Sequence, residues 1–401
     1  MPSMEQSSNS VEKNGAYTVE DEETLEDTYK STTQDESSIL VQNGGNASII
    51  NAEVNKESGD SSNVENSEFY GVNAGILVTE NSESTIKNTN INTNAKGANA
   101  VFSTGTNSKI YISDSKITTS KDSSRGLDAT YGGYIEADNV EITTNGGSCA
   151  TLATDRGEGT VIAKNSNLTT NGSGSPVIYS TGDISIENTT GNATGAQMVV
   201  VEGKNTATVN NSTLKCSGKG NRNNVDNCGI MLYQSMSGDA SEGTATFNAS
   251  NSNLTISEDS DYYSSAPFFF ITNTKSEINL ENNTLKYGSN LLLKIAGTSE
   301  WGKSGSNGGD VTLNATNQEL EGDIEVDSIS SLVLNLKENS TLKSAINTNN
   351  EAKNIELNID STSKLTLTGN TYVTTLNDED TSYSNIDFNG YTLYVNGEAI
   401  N

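Results

Sequence analysis

IKNTNI (86–91), ISDSKI (112–117), AKNSNL (163–168), VNNSTL (209–214) and ASNSNL (249–254) are one motif met five times. It reads apolar, any residue, Asn or Asp, usually Ser or Thr, any residue, Ile or Leu. Looser copies are VENSEF (64–69), ADNVEI (137–142), LENNTL (280–285) and KENSTL (337–342). The third position makes a column of Asn66, Asn88, Asp114, Asn139, Asn165, Asn188, Asn211, Asn251, Asn282, Asn317 and Asn339. Most members stand 22–26 residues apart, with three wider gaps of 31–40. A period of that length, built from alternating apolar and polar residues, suits one coil of a parallel β-helix whose short strands stack on those of its neighbours. Asn belongs at a repeated bend because it tolerates the left-handed backbone region, and stacked amides can hydrogen-bond along the stack.

A second strand recurs between the copies: AGILVTE (74–80), NAVFSTG (99–105), RGLDATYG (125–132), CATLATD (149–155), PVIYSTG (176–182), MVVVEG (198–203), IMLYQS (230–235) and PFFFIT (267–272). Period-two alternation sends one set of side chains into a narrow interior. Only three prolines occur in the chain, as expected where internal strands cannot lose a ladder donor. The expected fold is all-β: a single-stranded parallel β-helix of about a dozen coils. Main coils run over 39–319 with insertions at 217–228 and 255–266, and shorter coils with a cap over 320–401. Tyr391 and Tyr394 are candidates to cover the last layer, because an open stack end is an aggregating edge. Residues 1–38, with the acidic run VEDEETLED, read as a disordered tail or linker.

Composition excludes several functions. Apolar residues are 32% of the 401, too few for a thick core. There are 52 Asp plus Glu against 23 Lys plus Arg, for a net charge of −29. Nucleic acid and anionic membranes are therefore poor partners. Without histidine, imidazole catalysis and histidine metal ligation are absent. No apolar run is long enough for a membrane span. MPSMEQSSNS has neither the basic nor the apolar region of a signal peptide, so the chain reads either as one whose signal has been removed or as cytosolic. Cys149, in GGSCATL, reads as a small buried residue. Cys216 and Cys228 flank SGKGNRNNVDN, where a disulfide and two separate thiols are both open readings.

Aligning coils on the Asn column brings Arg156, Tyr179 and Glu202 to one offset, and Glu158, Thr181 and Lys204 to another two residues on. Asp128, Tyr131, Asp155, Tyr233 and Gln234 fall close by. Arginine, tyrosine and carboxylates on a flat sheet face suit sugar hydroxyls or a uronate. The same residues also read as charges neutralising one another across coils. A lyase or hydrolase using Arg156 with Asp128, Asp155 or Glu202 is the enzymatic alternative, although no spacing selects a carboxylate pair. Calcium is the plausible metal, with Glu258, Asp259 and Asp261 in SEDSDYY and Asp378, Glu379 and Asp380 in NDEDTS as candidates. Neither run matches a D-x-D-x-D-G loop.

By KESGDSSNVENSEFYGVNAG (56–75), KGANAVFSTG (96–105), TDRGEGTV (154–161), SPVIYSTGDI (175–184), VVEGKN (200–205) and MLYQSMSGDASEGTATF (231–247), the chain resembles bacterial adhesin-like surface proteins. The resemblance implies a right-handed parallel β-helix displayed outside the cell. More loosely, RGLDATYGGYIEADNVEITT (125–144) is similar to coils of carbohydrate-binding β-helix proteins of cellulose-degrading clostridia, which implies plant polysaccharide bound with calcium. The expectation is a secreted or cell-surface, non-enzymatic module presenting a flat polar face to glycan. A lyase or hydrolase and a purely structural spacer are the alternatives.

Overall fold

The computed structural model describes residues 11–400, in which the chain is a parallel β-helix. It divides into two compact units, one ending at Ala196 and one beginning at Gln197. In the first unit three parallel sheets, here A, B and C, each take seven strands, and the chain visits them in that order once per coil. One coil is Val101–Thr104, Lys109–Ser113 and Lys116–Thr119; the next is Leu127–Thr130, Tyr134–Asp138 and Glu141–Thr144. The register stacks like on like. Ile112 lies between Ile86 and Ala137, and Ile117 between Ile91 and Ile142, all at most 2% exposed. Each such aliphatic side chain contributes about 1.5–3 kcal/mol, so narrow columns stabilise the stack without a thick core.

The bends explain the motif. Asn88, Asp114, Asn139, Asn165, Asn188, Asn211, Asn251, Asn282, Asn317 and Asn339 all have φ between 46° and 66°. Amide bonds join some neighbours directly: Asn139 donates to Asp114 at 2.8 Å and Asn282 to Asn251 at 2.7 Å. Asn165 reaches Asp138 instead, at 2.7 Å. The hydroxyl that follows the Asn makes the more regular ladder. Ser115 Oγ donates to its own coil's Ser113 carbonyl at 2.6 Å and accepts the Thr89 N–H of the preceding coil at 3.1 Å. Ser166 and Ser252 repeat both bonds. A buried polar atom with donor and acceptor both used costs little, which is why this position is Ser or Thr.

Two expectations are corrected in this unit. Residues 11–38 are not a disordered tail: Asn14–Val19, Glu22–Leu25 and Thr28–Ser31 are the first coil, and Glu36–Val41 opens the second. Few large apolar groups suffice, because Val19 pairs with Val41 and Leu25 with Ile49. Lys56 ties the coil down, fully buried and donating to Ser31 Oγ at 3.1 Å and to the Glu36 carbonyl at 2.8 Å. Residues 1–10 of that expectation lie outside the described residues. Asn66 does not belong to the column either. It sits in a helix, α1 (Val64–Tyr70), and Asn51, with φ 53°, takes the bend. Asn63 caps α1 by accepting the Glu65 N–H at 2.9 Å, and Gly71, with φ 71°, ends it.

In the second unit sheet A has five strands, sheet B seven and sheet C three; a further parallel sheet of four strands and a sheet of three complete it. The two expected insertions are loops, after Thr213–Cys216 and after Asn253–Ile256. The outward face of sheet B carries a continuous amide ladder. Asn279 donates to Asn248 at 2.9 Å and Asn314 to Asn279 at 2.8 Å, then Asn335, Asn358 and Asn377 each to the preceding member at 2.7 Å. At the C-terminal end Leu393 is fully buried and Tyr394 stacks on Tyr372 at 4.7 Å. Tyr391 is 41% exposed. Cys216 and Cys228 are separate buried thiols, not a disulfide, Cys228 donating to the Asp226 carbonyl at 3.4 Å. Burial pushes the Cys216 thiol up to about 12. Cys149 is buried as expected, accepting the Ser124 N–H at 3.0 Å.

Candidate functional site

The candidate residues divide between the units. Asp128, Tyr131, Asp155, Arg156, Glu158 and Tyr179 belong to the first; Glu202, Lys204, Tyr233 and Gln234 belong to the second. The alignment by offset is also corrected. Tyr179 pairs with Ala153, and Ala153 with Asp128, whereas Arg156 lies beyond the strand. From Ala153 to Thr160 is seven positions, against four between their partners Tyr179 and Asp183, so the bend after Ala153 absorbs the difference.

In the first unit the expected open face is roofed. α1 lies over the outward side of sheet A, so strands Ile76–Thr79, Val101–Thr104 and Leu127–Thr130 are buried on both faces. Thr130 Oγ1 donates to the Phe69 carbonyl at 2.8 Å, Tyr70 stacks on Tyr131 at 5.4 Å, and the Arg156 guanidinium lies 3.7 Å from the Phe69 ring centroid. Beneath the helix sits a residue the sequence reading gave no role, Arg125. Its Nε meets Asp155 Oδ2 at 2.7 Å and its Nη1 meets Glu68 Oε1 at 2.8 Å. Burial opposes its charge, yet Asp155 and Glu68 outweigh that and hold the guanidinium protonated. Asp128, fully buried, accepts the Asp155 N–H at 3.3 Å. Burial first, and the neighbouring Asp155 second, push its carboxyl well above the usual range, toward the neutral acid. Asp128 and Asp155 are thus brought together, but 0% and 4% exposed, and substrate would reach them only if α1 lifted. Of the others, Glu158 is exposed, and Tyr131, Arg156 and Tyr179 are half-buried.

In the second unit an open cleft of about 840 Å³ forms from unequal bend lengths. The sheet A to sheet B connection is long after Ile230–Tyr233 and after Leu291–Ile295, but only Asn273 separates Phe269–Thr272 from Thr274–Glu281. The first loop is anchored by Gln234 Nε2, which donates to the Ala240 carbonyl at 3.2 Å. Asn307 pins the second by donating to the Thr298 and Trp301 carbonyls at 2.6 and 2.7 Å. Trp301 packs edge-on against Tyr233 at 5.2 Å, and Tyr233 donates to buried Glu202 at 2.8 Å. Gln234 lines the cleft directly, while Glu202 and Tyr233 support it and Lys204 stays exposed. The reading missed Lys275, Lys303, Lys353, Glu242 and Asp310 on its walls. The glycine-rich WGKSGSNGG (301–309) was the available signal.

No protein-family model matches the chain, and no curated protein does.

The calcium candidates are not assembled. Among the described residues no group of three or more Asp, Glu or Cys is placed to hold a metal ion. Glu258, Asp259 and Asp261 are exposed on one loop. Asp380 is saturated by its own turn, accepting the N–H groups of Ser382 and Ser384 at 3.0 Å each as well as their hydroxyls, which hold its carboxyl far below the usual range. Asp378 accepts from Asp380 N and Asn385 Nδ2 at 2.9 Å each, and Glu379 from Ser361 N at 2.9 Å. Among the described residues no helix is long and apolar enough to cross a membrane.

Proposed function

We propose that the chain is a non-enzymatic glycan-binding module of a secreted or cell-surface adhesin-like protein, and that sugar binds in the cleft of the second unit. The observation that carries this reading is the cleft itself. Its walls bring amide, hydroxyl, ammonium and carboxylate groups to one concave surface of about 840 Å³, held by the Trp301 and Asn307 anchors. Sugars are recognised by a few convergent polar groups on rigid supports. A rigid stack of hydrogen-bonded coils supplies that support.

Binding is preferred over catalysis on the state of the carboxyls. Asp128 and Asp155, the nearest approach to an acid/base pair, are engaged with each other and with Arg125 beneath α1. Affinity electrophoresis against a panel of soluble polysaccharides, in calcium and in chelator, tests the reading. Retardation without new reducing ends or unsaturated sugars supports it, and retardation with such products supports the lyase or hydrolase. No retardation leaves the spacer.

A further inference from the structure

We propose that the cleft takes a polyanionic sugar chain, one bearing carboxylate or sulfate groups, extended along the stack; this rests on the glycan-binding reading above. The chain carries 52 acidic against 23 basic side chains, so a site lined by more lysines than carboxylates runs against its composition. Lys275, Lys303 and Lys353 line the cleft, with Glu242 and Asp310 as its acidic residues. Some lysines elsewhere are neutralised by a carboxylate, as Lys30 is by Glu57 at 2.8 Å, Lys116 by Glu141 at 2.9 Å, Lys164 by Glu136 at 2.9 Å and Lys343 by Glu321 at 2.7 Å. Among the described residues the three cleft lysines form no ion pair, so their charges are available to a ligand.

Their placement sets the ligand's shape. Lys275 is in register with Asp310, Asp310 with Ser331, and Ser331 with Asn354, the residue after Lys353. Those three coil steps span about 14 Å. With their backbones that far apart, Lys275 and Lys353 are spaced to meet successive charged groups of an extended chain. Lys303 stands on the wall between them, on a loop turned by Gly302 and Gly305, whose φ values are 73° and 84°. Glu242 and Asp310 are acceptors for hydroxyls between the charged groups. The net charge of −29 repels polyanions at long range, so attraction must come from these local contacts.

The experiment is affinity electrophoresis of the full chain in gels holding dextran, dextran sulfate, polygalacturonate or its methyl ester, each mobility normalised to a polymer-free gel. Lys275→Gln/Lys303→Gln/Lys353→Gln is compared with Lys30→Gln/Lys87→Gln/Lys116→Gln from the first unit, and retained far-UV circular dichroism confirms that both fold. The expected result is retardation by at least one charged polymer and not by its neutral counterpart. The cleft variant should bind about tenfold more weakly and the control unchanged. Which charged polymer binds tells carboxylate from sulfate. Equal retardation by neutral and charged polymers, or an unaffected cleft variant, overturns the inference while leaving glycan binding intact. No retardation by any polymer overturns both.

Discussion

Arg125→Met should be among the most damaging single substitutions in the first unit. The side chain is 9% exposed and meets Asp155 at 2.7 Å and Glu68 at 2.8 Å. Methionine replaces part of the volume but removes the charge that Arg125 sets against Asp155 and Glu68 under α1. Removing one partner of a buried pair costs about 3–5 kcal/mol. For a unit of this size each kcal/mol lowers Tm by about 2–4 °C, so a fall of about 6–20 °C is expected. Lys30→Met is the internal control: it deletes an ion pair of similar length, but with side chains 55% and 45% exposed, and should cost under about 1 kcal/mol. Circular dichroism melts of the three proteins at neutral pH make the comparison. Equal losses for the two variants would refute the view that Arg125 is the buried counter-ion holding the helix on the sheet.

Other substitutions probe separate parts of the structure. With a folded-state pKa well above the ordinary 3.8, Asp128 binds its proton more tightly in the fold. It therefore adds stability below pH 3.8 that is lost as pH rises toward the folded-state value, so Asp128→Asn should gain Tm over the wild type as pH rises, and a parallel pair of Tm profiles would contradict this. Asn165→Ala should cost about 1–2 kcal/mol, because φ is 51° there, whereas Asn165→Gly should lose less; chemical denaturation separates the two. All three cysteines are free and buried, so thiol titration should be silent in the native protein and count three in denaturant.

The coil period was legible because one residue type solves one backbone problem: Asn turns at φ near 50°, and the next hydroxyl bonds to both coils. Asn66 misled because VENSEF keeps the motif's letters while Asn63 and Gly71, just outside it, supply helix caps. The coil over 14–31 was missed because it buries only Val19 and Leu25 as apolar side chains, which in an acidic stretch resembles disorder. The candidate patch was only half legible. Offset counting places Asp128 beside Asp155 but cannot see a helix inserted many residues earlier, or Arg125 reaching between its carboxylates and Glu68. The cleft was hidden for a related reason, since it depends on unequal bend lengths and on Trp301 meeting Tyr233 across coils.

Binding and product release measured on the same samples test the central claim most directly. The full chain and Trp301→Ala are titrated with the polysaccharide panel, with reducing ends and unsaturated sugars assayed throughout. The account predicts saturable binding without products, weakened in Trp301→Ala because the loop carrying Lys303 loses its anchor. Products formed by the wild type, or no saturable binding to any polymer, would contradict it.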